Sequence, residues 1–106
     1  MPKSLKHIFS ELKSRLDGLY GDRLSRLVLF GSHARGDAEA ESDIDVLVVL
    51  KGRVRAGMEV TRIAPVTAAL SLTYDVVISC VFVSEERYLN EMSPLLINVR
   101  REGVSV

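Results

Sequence analysis

The sequence predicts a small α/β domain in which a mixed sheet of three or four strands carries helices packed mainly on one face. Three observations point there. Apolar runs bounded by Gly, Ser and Asp recur at Leu27 to Phe30, Val46 to Leu50 and Tyr74 to Val83, as buried strands do. Two stretches follow helical spacing instead, through Leu5, Ile8, Phe9, Leu12 and Leu16 and through Val60, Ile63, Thr67 and Leu70. At 106 residues, 47% of them hydrophobic, the chain is large enough to bury roughly 65% of its unfolded surface around one core. Residues 1–106 therefore read as a single domain without repeats, linkers or low-complexity segments.

Taken in order, the first helix has one apolar face, with Gly18 as its expected stop, and a turn at Gly21-Asp22 leads to the first strand. The second strand opens with Ser42-Asp43-Ile44-Asp45. Lys51 to Gly57 is a basic connection into the second helix, where Pro65 removes a backbone hydrogen bond and should kink the helix or mark a later start. In the third strand Asp75, Val77 and Ser79 fall on one face and Val76, Ile78, Cys80 and Phe82 on the other. Ser84-Glu85-Glu86 starts a short helix. Ser93-Pro94 starts another, with Pro at the first helical position and Arg100, Arg101 and Gly103 as its stop. Val104 to Val106 reads as an edge strand.

Composition narrows the function. Fourteen basic and fourteen acidic residues cancel, so no global field recruits nucleic acid or an acidic membrane, and any nucleotide must be held by a local site. The lone Cys80 sits in an apolar run and has no internal disulfide partner; it reads as a small buried hydrophobe. Met1-Pro2-Lys3-Ser4 lacks an apolar signal core, and no apolar run approaches the roughly 18 residues of a membrane span, so a cytoplasmic location is expected.

The chemistry concentrates between Leu27 and Leu50. In an extended strand Asp43 and Asp45 project to the same side, roughly 7 Å apart along the chain, while Ile44, Val46, Val48 and Leu50 face a core. Two adjacent carboxylates repel, which raises a pKa or demands a cation. Hard oxygen ligands suit Mg²⁺, which is usually held by one or two carboxylates plus substrate phosphates. Gly31 permits a sharp turn after the first strand, and Ser32 offers a hydroxyl. The N–H groups at His33 and Ala34 would face an anion, and Arg35 adds a fork suited to phosphate.

Gly31-Ser32, Arg35-Gly36 and Ser42-Asp43-x-Asp45, at this spacing between two apolar strands, resemble the signature of the DNA polymerase β-like nucleotidyltransferase superfamily. In so short a chain they most resemble its minimal nucleotidyltransferase branch, which includes the antitoxin partners of HEPN-domain ribonuclease toxins. The resemblance implies a nucleotidyltransferase-like fold and Mg²⁺, as two ions roughly 3.5 to 4 Å apart, bound by Asp43, Asp45 and a third carboxylate. It implies that Gly31 and Ser32 hold the triphosphate of ATP, with Arg35 beside them. It further implies that AMP passes to a hydroxyl, typically a tyrosine, of a HEPN toxin. Asp75 is the candidate third acid because it is the only acidic residue in the expected third strand.

Alternatives stand beside each assignment. Arg35 could instead form an ion pair with Asp37 or Asp43, and Lys51, Arg53, Arg55 and Arg62 are either a basic rim beside the site or a solvated loop. Asp37, Glu39 and Glu41 read as a solvated segment, His7 as surface, and His33 as a poor ligand for an oxygen-preferring metal. Two histidines make no zinc site, and neither a Gly-x-Ser-x-Gly elbow nor a Gly-Lys-Ser/Thr phosphate loop is present. Two rival functions remain. One is a binding module that masks its partner without catalysis. The other is a small-molecule nucleotidyltransferase, whose acceptor pocket so short a chain builds only as a homo-oligomer.

Overall fold

The computed structural model describes residues 3–39 and 43–105; Glu41, Ser42 and Val106 of the motif and edge-strand assignments lie outside them. The described elements are α1 (Lys3–Tyr20), a 3-10 turn (Gly21–Arg23), β1 (Leu24–Phe30), α2 (Ser32–Arg35), β2 (Ile44–Leu50), α3 (Ala56–Tyr74), β3 (Ile78–Ser84), α4 (Glu85–Asn90), α5 (Pro94–Glu102) and β4 (Val104–Ser105). The sheet order is β3-β2-β1-β4, with β1 antiparallel to both β2 and β4, and β2 parallel to β3. This is the expected mixed α/β sheet.

Side chains alternate across the sheet and make two apolar layers. On one face Leu27, Leu29, Ile44, Val46, Val48, Ile78 and Phe82 pack against Leu5, Ile8, Phe9, Leu12 and Leu16 of α1 and Ile63 and Leu70 of α3. On the other, Val28, Leu47, Val49 and Val83 pack against Tyr88 of α4 and Leu96 and Val99 of α5. The two long helices thus share one face, and two short ones cover part of the other. Ser84 and Ser93 accept backbone N–H groups of Arg87 and Leu96 and cap α4 and α5, with Pro94 in the first turn, as their sequence signals require.

Several boundaries differ from the sequence reading, and β1 starts at Leu24 rather than Leu27. α1 continues past Gly18, because Tyr20 extends the apolar stripe from Leu16 at i+4; the left-handed stop is Gly21, at φ 53°. α3 runs through Pro65 without a break or a later start. It also claims Tyr74, so β3 begins at Ile78 rather than Tyr74. Asp75 is then the left-handed C-cap of α3, at φ 53°, its N–H donated to the Ser71 carbonyl. No helix among the described residues is long and apolar enough to cross a membrane.

Candidate active site

β1 and β2 bring the expected phosphate turn and the acidic pair to one end of the sheet. β1 ends at Phe30, whose pairing partner in β2 is Asp45. Gly31 then adopts φ 76° and ψ −156° and Ser32 opens the single turn of α2, closed by Gly36 in the left-handed region. That conformation of residue 31 is open only to glycine. Space enforces the same choice, since a β-carbon there would lie 2.5 Å from Oδ2 of Asp45. The turn and the carboxylate are therefore built against each other.

Asp43 is exposed and Asp45 half-buried, on the face that α4 and α5 cover only in part. Burial holds the Asp45 carboxyl above its ordinary range, the neighbouring charge of Asp43 adds to the effect, and His33 and Arg35 oppose it. The like-charge conflict expected from the sequence is thus present and only partly compensated. Two neighbouring carboxylates, one of them packed against the Gly31 turn, match the donor set of a hard divalent cation, and a cation's charge would remove the repulsion. Asp43 and Asp45 are the residues that would hold it.

Other expected parts fall elsewhere. Asp75, at the end of α3, is not part of β3, and the residue paired with Asp45 in β3 is Ser79. No group of three or more His, Cys, Asp or Glu side chains among the described residues is arranged to hold a metal. Asp75 therefore does not complete the site as a third acid; the helical period through Leu70 and Tyr74 overrode the apolar run that suggested a longer strand. The Ala34 N–H, expected to face an anion, is donated to the Gly31 carbonyl at 3.1 Å. Arg35 pairs with Asp37 at 3.3 Å and with Glu102 of α5 at 3.7 Å, while its side chain stays 46% exposed.

The basic residues Lys51, Arg53 and Arg55 follow the far end of β2, about 20 Å from Asp43 for a seven-residue strand. They form no rim beside the acids. Arg62 is engaged with Glu59, 3.5 Å away, and lies over the Tyr20 ring. A cavity of about 570 Å³ opens at that far end, lined by Arg53, Phe82, Glu85 and Arg87 among others. It is larger than the roughly 130 Å³ cleft beside Gly31, which Phe30, Arg35, Asn98 and Glu102 help to line. The smaller cleft adjoins the Asp45 turn, so volume and chemistry point to opposite ends, and the acidic pair decides. Sequence reasoning missed Ser79, Asn98 and Glu102, because strand register and helix docking have no local signal.

The model of the nucleotidyltransferase domain matches residues 5–100. The chain is 36% identical over 102 residues to "Putative protein adenylyltransferase MJ0604" of Methanocaldococcus jannaschii, covering 95% of this chain and 92% of that one. It is 40% identical over 72 residues to "Putative protein adenylyltransferase MJ0141" of the same organism, covering 68% and 72%. In fold it is similar to a chain of a toxin-antitoxin crystal structure with AMP-PNP, at TM-score 0.58 and 22% identity over 88% of this chain and 68% of that one. It is also similar to a nucleotidyltransferase-type structure from Sulfolobus solfataricus, at TM-score 0.53 and 18% identity over 99% and 86%.

Proposed function

The chain belongs to the nucleotidyltransferase domain family, and from that membership we propose that it transfers AMP from ATP to a hydroxyl, a tyrosine by family resemblance, of a HEPN toxin, and so acts as that toxin's antitoxin. The observation that carries the reading is the close approach of the Asp45 carboxylate to the Gly31 turn, with Asp43 two residues before it, on a half-open face. The relatives named as protein adenylyltransferases support the reaction class, and the toxin-antitoxin fold neighbour supports the kind of partner.

In this reading the Gly31-Ser32 turn seats the triphosphate and Arg35 reaches it by exchanging its contact with Asp37 or Glu102. Asp43 and Asp45 would hold Mg²⁺, which would offset the charge on the phosphate oxygens. The acceptor oxygen enters from the open face and bonds to the α-phosphorus. The bond from that phosphorus to the bridging oxygen breaks, pyrophosphate leaves, and the hydroxyl proton passes to solvent. Orientation supplies much of the rate, because a hydroxyl held in line replaces a chance encounter.

A second reading, masking of the partner without transfer, draws on the lack, among the described residues, of a third acidic, His or Cys side chain grouped with Asp43 and Asp45. One experiment separates them. The natural chain and the Asp43→Asn/Asp45→Asn variant are incubated with the co-purifying partner, Mg²⁺ and α-labelled ATP, CTP, GTP or UTP. Label on the partner from ATP with the natural chain alone supports adenylyl transfer. A variant that transfers normally overturns it, and a complex that never takes label supports masking.

A further inference from the structure

The register of the sheet brings a further residue to the acidic pair. Asp45 in β2 is paired with Ser79 in β3. Residues paired across neighbouring strands project to the same face, about 4.8 Å apart. Ile44, Val46, Ile78 and Phe82 all enter the layer beneath α1 and α3, so Asp45 and Ser79 point the other way, toward the half-open face. Ser79 is exposed there. The next pair along that face is Leu47 and Val81, which carries no side-chain oxygen. Within β3, Ser79 is therefore the only residue whose side-chain oxygen lies level with Asp45.

We propose that Ser79 Oγ is the third oxygen donor of the cation site, beside the carboxylates of Asp43 and Asp45. The inference rests on the reading of that pair as a cation site and adds its ligand set and its charge. A hydroxyl contributes a lone pair without a charge, so the site carries two fixed negative charges where three carboxylates would carry three. Affinity in oxygen-ligand sites follows the count of charged ligands. The protein alone then binds a divalent cation weakly, and the phosphate oxygens of a nucleotide supply the missing charge. Cation and nucleotide load together, because Phe30, paired to Asp45 on its other side, leads directly into the Gly31 turn.

The test measures Mn²⁺, a spectroscopic substitute for Mg²⁺, binding to the full chain by electron paramagnetic resonance. Binding is measured alone and with an ATP analogue carrying a methylene bridge between the α- and β-phosphorus atoms. Ser79→Asp should tighten binding of Mn²⁺ alone on the order of tenfold by adding a charged ligand, and should shrink the benefit of adding the analogue. Val81→Asp, which puts the same charge one pair further along the face, should tighten it far less. Ser79→Ala should weaken Mn²⁺ binding in the analogue complex several-fold, and Ser79→Asn, which keeps a neutral oxygen, should restore it.

Equal gains from Ser79→Asp and Val81→Asp, or Ser79→Ala binding like the natural chain, would overturn the assignment. If Ser79→Asp fails to fold, the Ala and Asn variants decide. The Asp43→Asn/Asp45→Asn variant keeps the two readings apart. If it loses Mn²⁺ while the Ser79 variants bind as the natural chain does, the cation site stands and the Ser79 inference falls. If it binds normally, both fall.

Discussion

Gly31 and Asp45 occupy one another's space: the carboxylate oxygen Oδ2 of Asp45 fills the volume that a β-carbon on residue 31 would need, at 2.5 Å. Residue 31 also sits at φ 76° and ψ −156°, where an L side chain is strained. Gly31→Ala therefore faces two penalties, and backbone strain of this kind alone costs of order 1–3 kcal/mol. The substitution should lower the urea midpoint and remove nucleotide transfer together. A variant with the natural midpoint and natural transfer would show that the turn is not built as described.

Asp45→Asn should stabilise the cation-free protein at neutral pH. The carboxyl is raised above 3.8 by burial and by Asp43. A raised folded pKa contributes stability that is complete below the unfolded value near 3.8 and is lost as pH rises through the folded value. At pH 7 the ionised group is thus a liability, which Asn removes. The melting temperature of the variant should exceed that of the natural chain at pH 7 and match it below about pH 4. In the proposed reading, Mg²⁺ added with a non-transferable ATP analogue should raise the natural chain's melting temperature more than the variant's; an opposite ranking of the two ligand-free proteins at pH 7 would contradict the electrostatic account.

The Tyr20 hydroxyl donates to Oε1 of Glu59 at 2.9 Å, and Glu59 is only 5% exposed. Tyr20→Phe leaves that carboxylate with Arg62, 3.5 Å away. Loss of a partner from a buried polar group costs about 1–3 kcal/mol, so the urea midpoint should fall accordingly. Burial and the Glu59 contact raise the Tyr20 pKa above 10. Its contribution is complete below pH 10 and declines above it, so the gap between the natural chain and Tyr20→Phe should narrow in strong alkali.

Burial pushes the Cys80 thiol up to about 12. Reaction with an aromatic disulfide reagent at pH 8 should be much slower in the folded protein than in urea, since the thiolate is the reactive form. Equal rates would place the thiol at the surface.

Much of this arrangement was legible in the residues. The Leu5 to Leu16 stripe, the Ser84 and Ser93 caps and the strand alternation of Ile44, Val46 and Val48 act locally, within a turn or a pleat, and local physics writes them into sequence. The Gly31-Ser32 and Asp43-x-Asp45 spacing did the same for half of the candidate site. What escaped was tertiary. Tyr74 looks like a strand residue until Leu70 is seen one helical turn before it in the same core. Ser79 acquires meaning only from its pairing with Asp45. Glu59 occupies a position that an apolar residue could fill, and only the Tyr20 hydroxyl arriving from α1 explains it.

Gly31, Ser32, Asp43 and Asp45 all lie on a single antiparallel pair, β1 and β2, and their connection, whereas α1 touches only the opposite face of the sheet. Inheritance can therefore treat the two layers differently. A substitution such as Leu12→Ala, in the layer beneath α1, lowers the number of folded copies that a cell maintains without altering how each surviving copy works. In the proposed reading, a substitution at Asp43 or Asp45 changes the working of every copy. Variation in the helical layer should register as dosage, and a partner kept in check by stoichiometry would feel that loss first.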